Sequence, residues 1–454
     1  MTYRNAIKYL GSFINYEKIP AYPYKESLKL ERIRNLLRKI GNPQHSLRCV
    51  HIAGTKGKGS TCAFIAYCLR QAGYKTGLYT SPHLSDFRER IRILSPYPGC
   101  KSACLDFEGM ISRQELADLV RTFQPAIEKY NRNCAYGPLS FFEACTALAF
   151  VYFKEQGVDF AVLETGLGGR LDATNVVEPL ICAITPISYE HTQILGNTLQ
   201  EIAAEKTGII KPGAVVISAP QEKEAASVIK QKCKVTGAKL YAVGRQITYR
   251  KTGTGFNVKG VKAKFSGLKI GLIGEHQLVN ASVAIGVIEA LRHYGINIGN
   301  TAVKEGLSQA LWPGRCEVVA NRPLVVLDGA QNAASAKALR ETIQNSFKYK
   351  KLILVLGISS DKDIKGICAQ VYRLADEVIL TRADNPRAML PEALAKYFPR
   401  RAVHLSSGVR QAAELALRLA GIEDLILCTG SLFVVGEARE WAQKKLQRED
   451  FLYA

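Results

Sequence analysis

His51-Ile-Ala-Gly-Thr-Lys-Gly-Lys-Gly-Ser-Thr61 is the stretch from which the rest of this 454-residue chain can be read. Ahead of it, Arg48-Cys-Val-His-Ile-Ala53 is an apolar run that predicts a short buried strand. Behind it, residues 62–73 carry apolar side chains at helical spacing and close on Gly73. Strand, glycine-rich turn and helix together aim backbone N–H groups and a helix N-terminus at a phosphate chain. Gly54, Gly57 and Gly59 let the backbone come close to an anion. Lys58 supplies a charge for the β- and γ-phosphates, and the hydroxyl of Ser60 or Thr61 can reach a phosphate or Mg²⁺. The fit to the P-loop pattern is imperfect, with Ile52 where that pattern has its first Gly and Gly59 where it has Ser or Thr. The alternative is a Gly/Lys-rich surface turn without a ligand; the crowding of glycines, lysines and hydroxyls between a strand and a helix favours a nucleoside triphosphate site.

The length implies two or three domains, and an apolar content of 47% implies a full core. No apolar run approaches the roughly 20 residues of a membrane span, and the first thirty residues do not read as a signal peptide. The twelve cysteines are scattered through apolar runs with no Cys-x-x-Cys pair, which fits reduced thiols and a cytoplasmic location better than disulfides. The net charge of +21 is dispersed, with no basic block. It is read as steering of small anionic substrates rather than as nucleic-acid binding.

Along the chain, residues 1–47 read as two helical pieces, with Ser27 as an N-cap for the second. Strands are predicted at 76–80, 159–163 and 180–185, and each ends in a polar group: Ser81, Glu164 and, a little further on, His191. Ligands of α/β sheets gather at such strand ends. Glu164 resembles the carboxylate that binds Mg²⁺ in nucleotide hydrolases. Each of the three also has a bland reading, as a turn residue, a glycine-turn cap or a structural histidine. Together, hydroxyl, carboxylate and imidazole suit Mg²⁺ that still carries water and phosphate oxygens. Residues 214–273 hold a strand–helix unit and then hairpins. A long apolar helix opens at Gly274 and presents Gln277 and Asn280 in its first turn. The pattern restarts after Trp312-Pro-Gly-Arg315, with strands at 324–328, 352–356, 377–381 and 424–428 alternating with helices. The fold class expected is α/β: a P-loop-containing N-terminal ATPase domain with a parallel sheet (1–298), a linker (299–315), and a smaller Rossmann-like C-terminal α/β domain (316–454).

These segments, taken in order, resemble the folylpolyglutamate synthase/dihydrofolate synthase family of the Mur ligase superfamily. The resemblance is carried by Gly41-Asn-Pro, the loop above, Thr80-Ser-Pro-His-Leu, Glu164-Thr-Gly-Leu-Gly-Gly-Arg-Leu-Asp-Ala-Thr-Asn, Glu190-His191, Ala204-Glu-Lys-Thr-Gly-Ile-Ile-Lys, Gly274-Glu-His-Gln, Trp312-Pro-Gly-Arg and Asp328-Gly-Ala-Gln-Asn. It implies a ligase that uses ATP and Mg²⁺ to add L-glutamate to dihydropteroate or a reduced folate, acting as a monomer without nucleic-acid or membrane partners. By that resemblance Gly54, Thr55, Gly57, Lys58, Gly59, Ser60, Asn280, Arg315 and Asp328 contact ATP. Ser81, Glu164 and His191 ligate Mg²⁺. Lys206, carbamylated in family members, ligates a second Mg²⁺, and Lys58, Lys206 and His191 form the catalytic set. Ser140, Phe141, Phe142, Glu143, Leu171, Asp172 and Ala173 border the pterin. Four positions depart from the family pattern: Lys56 stands for Asn, Glu190 for Asp, and Gln331 with Ala333 for His and Pro. Gln331 cannot carry a proton to phosphate, although it can still donate hydrogen bonds. The rival readings are another amide ligase of the superfamily and a nucleotide-dependent regulatory protein without ligase activity.

Overall fold

The computed structural model describes residues 1–19, 22–96 and 107–445. The strands are β1 (Cys49–Ala53), β2 (Thr76–Tyr79), β3 (Ile91–Leu94), β4 (Phe160–Glu164), β5 (Ile181–Ile184), β6 (Val215–Ser218) and β7 (Lys239–Ala242). They form one sheet in the order β3-β2-β4-β1-β5-β6-β7. All neighbours are parallel except β3, which runs antiparallel to β2 at the edge. Every residue of β1, β4 and β5 is buried, because helices cover both faces of the sheet. Val50, Ile52, Val162 and Ala183 face one core with the helices Lys58–Gln71, His276–Ala290 and Asn300–Gln309. On the opposite face Cys49, Ala161 and Leu163 pack with the helices Leu30–Lys39, Arg113–Arg132 and Phe141–Glu155. From β1 the chain crosses towards β2, and from β5 towards β6. The C-terminal ends of β1 and β5 are therefore a switch point, where such sheets open a ligand crevice.

The strands β8 (Thr248–Thr252), β9 (Gly255–Lys259) and β10 (Lys264–Leu268) form the expected hairpins as a small antiparallel sheet. The remaining six are β11 (Glu317–Asn321), β12 (Leu324–Asp328), β13 (Leu352–Leu356), β14 (Glu377–Leu380), β15 (Ala402–Leu405) and β16 (Leu425–Thr429). They make the second sheet, ordered β11-β12-β16-β13-β14-β15 and parallel except for β11. Leu352, Leu354 and Leu356 face one of its cores, Ile353 and Val355 the other.

Three details differ from the sequence reading. The second N-terminal helix begins at Leu30 with Lys29 at its cap position, not at Ser27; the carbonyl of Ser27 accepts from Arg32 Nη1 at 2.8 Å instead. The segment after Ser81 does not stay a turn but returns as β3. Within the expected linker, Asn300–Gln309 is a helix whose Val303 and Leu307 enter the N-terminal core together with Ala310, so the crossing between the sheets begins only after residue 310. Nine of the ten described cysteines are buried and all ten are free thiols. No helix among the described residues is long and apolar enough to cross a membrane.

Candidate active site

The turn after β1 is pinned to the segment after β5. The N–H groups of Thr55 and Lys56 donate to the Pro186 carbonyl at 3.0 and 3.2 Å. The Thr55 hydroxyl donates to the Ser188 carbonyl and accepts from the Ser188 N–H, both at 3.1 Å. Two glycines are required by these contacts. Gly54 has φ +151° and a Cβ there would lie 1.8 Å from Thr185 Oγ1; Gly57 has φ +79° and a Cβ would lie 2.2 Å from Asn280 Oδ1. Asn280 therefore lies against the loop, oriented by its bond to Gln277 at 2.8 Å. Lys58 begins the helix Lys58–Gln71, with Gly59 close against Trp312.

Several of the residues singled out in the sequence lie around this turn. Lys58 Nζ lies 3.8 Å from Glu164 Oε1, and the Ser81 N–H donates to Glu164 Oε2 at 3.4 Å. Lys206 is buried and its Nζ donates to the Gly54 carbonyl at 2.8 Å. Burial lowers the Lys206 ammonium, aided by Lys58 and Lys56 against the pull of Glu190, to about 7. Burial likewise lowers His191, with Lys362, Lys206 and Lys58 adding to it and Glu190 opposing, to about 4. A neutral imidazole has the free lone pair a metal ligand needs. Burial pushes the Glu164 carboxyl up, while Lys58 and Arg315 pull it down. The pocket thus gathers Lys56, Lys58, Lys206, Lys362 and Arg315 about three carboxylates, Glu164, Glu190 and Asp172. A surplus of half-buried positive charge beside a carboxylate and a neutral imidazole fits a triphosphate carrying Mg²⁺.

Arg315, two residues ahead of β11, acts on the same site. Its Nη1 donates to the Gly314 carbonyl at 3.2 Å and closely approaches Gly329. Asp328, at the end of β12, spends both oxygens on the backbone, accepting from Cys316 and Ala330 N–H groups at 2.9 Å each. It thereby shapes the turn that carries Arg315.

The expected pterin border divides. Ser140 and Glu143 are bonded to each other as a capping box for the helix Phe141–Glu155 and are buried with Phe141. Asp172 is also buried, accepting from the Leu167 and Thr174 N–H groups and from the Thr174 hydroxyl at 2.9, 3.0 and 2.5 Å. With its proton committed to Asp172, Thr174 Oγ1 accepts from His51 Nε2 at 2.7 Å. Phe142 and Leu171 are the two partly exposed members, and Phe142 lies against Gly166, where a Cβ would come within 2.7 Å of its ring; Ala173 is buried. His83, in the segment after β2, is taken by Arg90: its Nδ1 accepts from Arg90 Nε at 2.8 Å, and Arg90 forks onto Glu17 at 2.8 and 2.6 Å.

One cluster was invisible in the sequence. Lys56 Nζ lies 2.6 Å from Glu190 Oε1, so two of the positions that depart from the family pattern are each other's partner. The same Glu190 oxygen accepts from Asn332 Nδ2 at 3.0 Å, across 142 positions of chain. Burial raises Glu190, but Lys56, His191 and Lys58 outweigh it and hold the carboxyl at about 2.

Comparison with known proteins points the same way. Residues 125–288 match the Mur ligase middle domain, and residues 314–432 the Mur ligase glutamate ligase domain. The chain is 35% identical to the dihydrofolate synthase/folylpolyglutamate synthase of Bacillus subtilis (strain 168), over 90% of this chain and 94% of that one. It is 30% identical to the folylpolyglutamate synthase of Lacticaseibacillus casei, over 97% and 98%. The Mycobacterium tuberculosis folylpolyglutamate synthase solved with ADP and AMPPCP superposes with a TM-score of 0.83 at 32% identity, covering 91% of this chain and 95% of that one.

Proposed function

Because the chain belongs to the folylpolyglutamate synthase/dihydrofolate synthase family of Mur ligases, we propose that it joins L-glutamate to dihydropteroate and to reduced folates at the expense of ATP. The observation that carries this reading is the meeting of Lys58, Ser81 and Glu164 at the switch point, with Arg315 drawn in from the second domain.

A free carboxylate is a poor electrophile. Transfer of the γ-phosphoryl group of ATP onto the pteroate or folate carboxylate makes an acyl phosphate. The glutamate amine then attacks the acyl carbon, loses its proton and expels phosphate. Lys58, Arg315 and the N–H groups of the loop offset the charge that builds on the transferring group. Ser81, Glu164 and His191 would hold Mg²⁺, which neutralises phosphate oxygens when bound. Lys206, with much of its amine unprotonated near neutral pH, is able to take up CO₂ as a carbamate and so become anionic. Phe142 and Leu171 offer the partly exposed apolar contact for the pterin ring. The reacting carboxylate sits between the two domains, where closure keeps water from the acyl phosphate. The enzyme acts as a cytoplasmic monomer.

The test is phosphate release from ATP with glutamate and either dihydropteroate or tetrahydrofolate. Release that needs ATP, glutamate and a pterin acceptor together supports the reading. Release without glutamate, or none with either acceptor, overturns it.

A further inference from the structure

We propose that Glu190 is a positioning residue that locks the phosphate loop to the C-terminal domain, through Lys56 on one side and Asn332 on the other. The inference rests on the ligase reading above only for its kinetic readout.

Lys56 lies inside the turn between Gly54 and Gly57, and that turn has no regular structure of its own to hold it. Its backbone is tied to Pro186, its Thr55 hydroxyl to Ser188, and its lysine side chain to Glu190 at 2.6 Å. All of these contacts lie within the N-terminal domain. Asn332 belongs to the other domain, where it caps the helix Ala333–Ser346: its Oδ1 accepts from the Ser335 N–H at 2.9 Å. The opposite half of the same amide, Nδ2, donates to Glu190 Oε1 at 3.0 Å. The orientation of Asn332 is therefore fixed from both ends. A rotated amide would lose the helix cap and set an oxygen against the carboxylate. Because Lys56 and Asn332 share one oxygen of Glu190, the position of the phosphate loop and the docking of the C-terminal helix are set by a single atom. The side chains of Glu190 and Lys56 are only 17% and 28% exposed, so the charge pair is poorly screened. The loop handles ATP, and the C-terminal domain brings Arg315 and closes over the acyl acceptor. The lock consequently acts on the step that needs both domains, not on nucleotide binding by the loop alone.

The substitution that isolates the lock is Asn332→Asp. Aspartate caps a helix as well as asparagine does, so the helix keeps its start, but it offers no donor to Glu190 and sets two carboxylates together. The partner change Glu190→Gln in the same chain returns one donor and one acceptor to the contact with their roles exchanged, and leaves a carboxylate near Lys56. The expected result for Asn332→Asp is a kcat lowered about tenfold or more, with binding of a non-hydrolysable ATP analogue weakened by a smaller factor. Asn332→Asp with Glu190→Gln should recover most of the lost kcat. Hydrogen exchange at residues 187–190 and 332–336 should rise together in the single variant and fall back in the double. A single variant with parental kcat and exchange overturns the proposal, and so does a double variant no better than the single. The exchange readout needs no substrate. If it behaves as described while no acceptor is ligated, the ligase reading fails and the lock stands.

Discussion

At the scale of single residues, the phosphate loop separates chemistry from stability. Lys58 is partly exposed, touches Glu164 at 3.8 Å and supports no core packing. Lys58→Ala should lower kcat/KM by about 10²–10³ while the thermal midpoint stays near that of the parent; a stable variant with near-parental ligation would remove Lys58 from the mechanism. His51, three positions before Gly54, does the reverse. Burial keeps its imidazole neutral down to about 3, against an ordinary value of 6.5. Between these values the unfolded chain takes up a proton that the folded one refuses. Stability is therefore lost as pH falls from 6.5 towards 3, by about 1.4 kcal/mol per pH unit. Urea unfolding of His51→Gln across this range should show a shallower acid slope than the parent; parallel curves would refute the buried neutral state. Individual positions were legible where a residue type matched its neighbourhood, as with Glu164 at the end of an apolar strand. They were not legible where a side chain is used by a distant partner: Glu190 and Asn332 meet across 142 positions.

At the scale of elements, the loop geometry sets a sharp demand on Gly54. Gly54→Ala must place a methyl 1.8 Å from Thr185 Oγ1 at φ +151°. Strain and overpacking together should cost about 2–5 kcal/mol, read as a lower urea midpoint, with loss of ATP-analogue binding even in the folded fraction. A midpoint equal to the parent's would mean that the β1–β5 crevice is wider than described. The central strands were readable because both faces are covered, leaving unbroken apolar runs such as Leu352–Leu356. The edges were not. β15 is exposed or half-exposed throughout, and β3 follows directly on the buried Arg90 and itself contains the buried Arg92, so neither shows the apolar pattern of a core strand. Burial of those arginines is made possible by partners such as Glu17 and the Glu108 carbonyl, which no local pattern announces.

At the scale of the whole molecule, the division into two α/β units could be read from the restart of the strand–helix pattern, but not the ownership of residues 300–309. That helix carries few apolar residues, yet Val303 and Leu307 are fully buried against the N-terminal layer. Leu307→Ala should cost about 2–5 kcal/mol and lower only the calorimetric transition of the N-terminal unit. A shift of the C-terminal transition instead would assign the helix to the other side. The nine buried thiols among the described residues give the molecule a built-in stopwatch. A thiol-reactive dye meets Cys62 or Cys68 only when the first layer opens, and Cys368 or Cys428 only when the second does. The order in which these sulfurs acquire label, read by mass, ranks the two halves by how often each breathes, without any engineered probe.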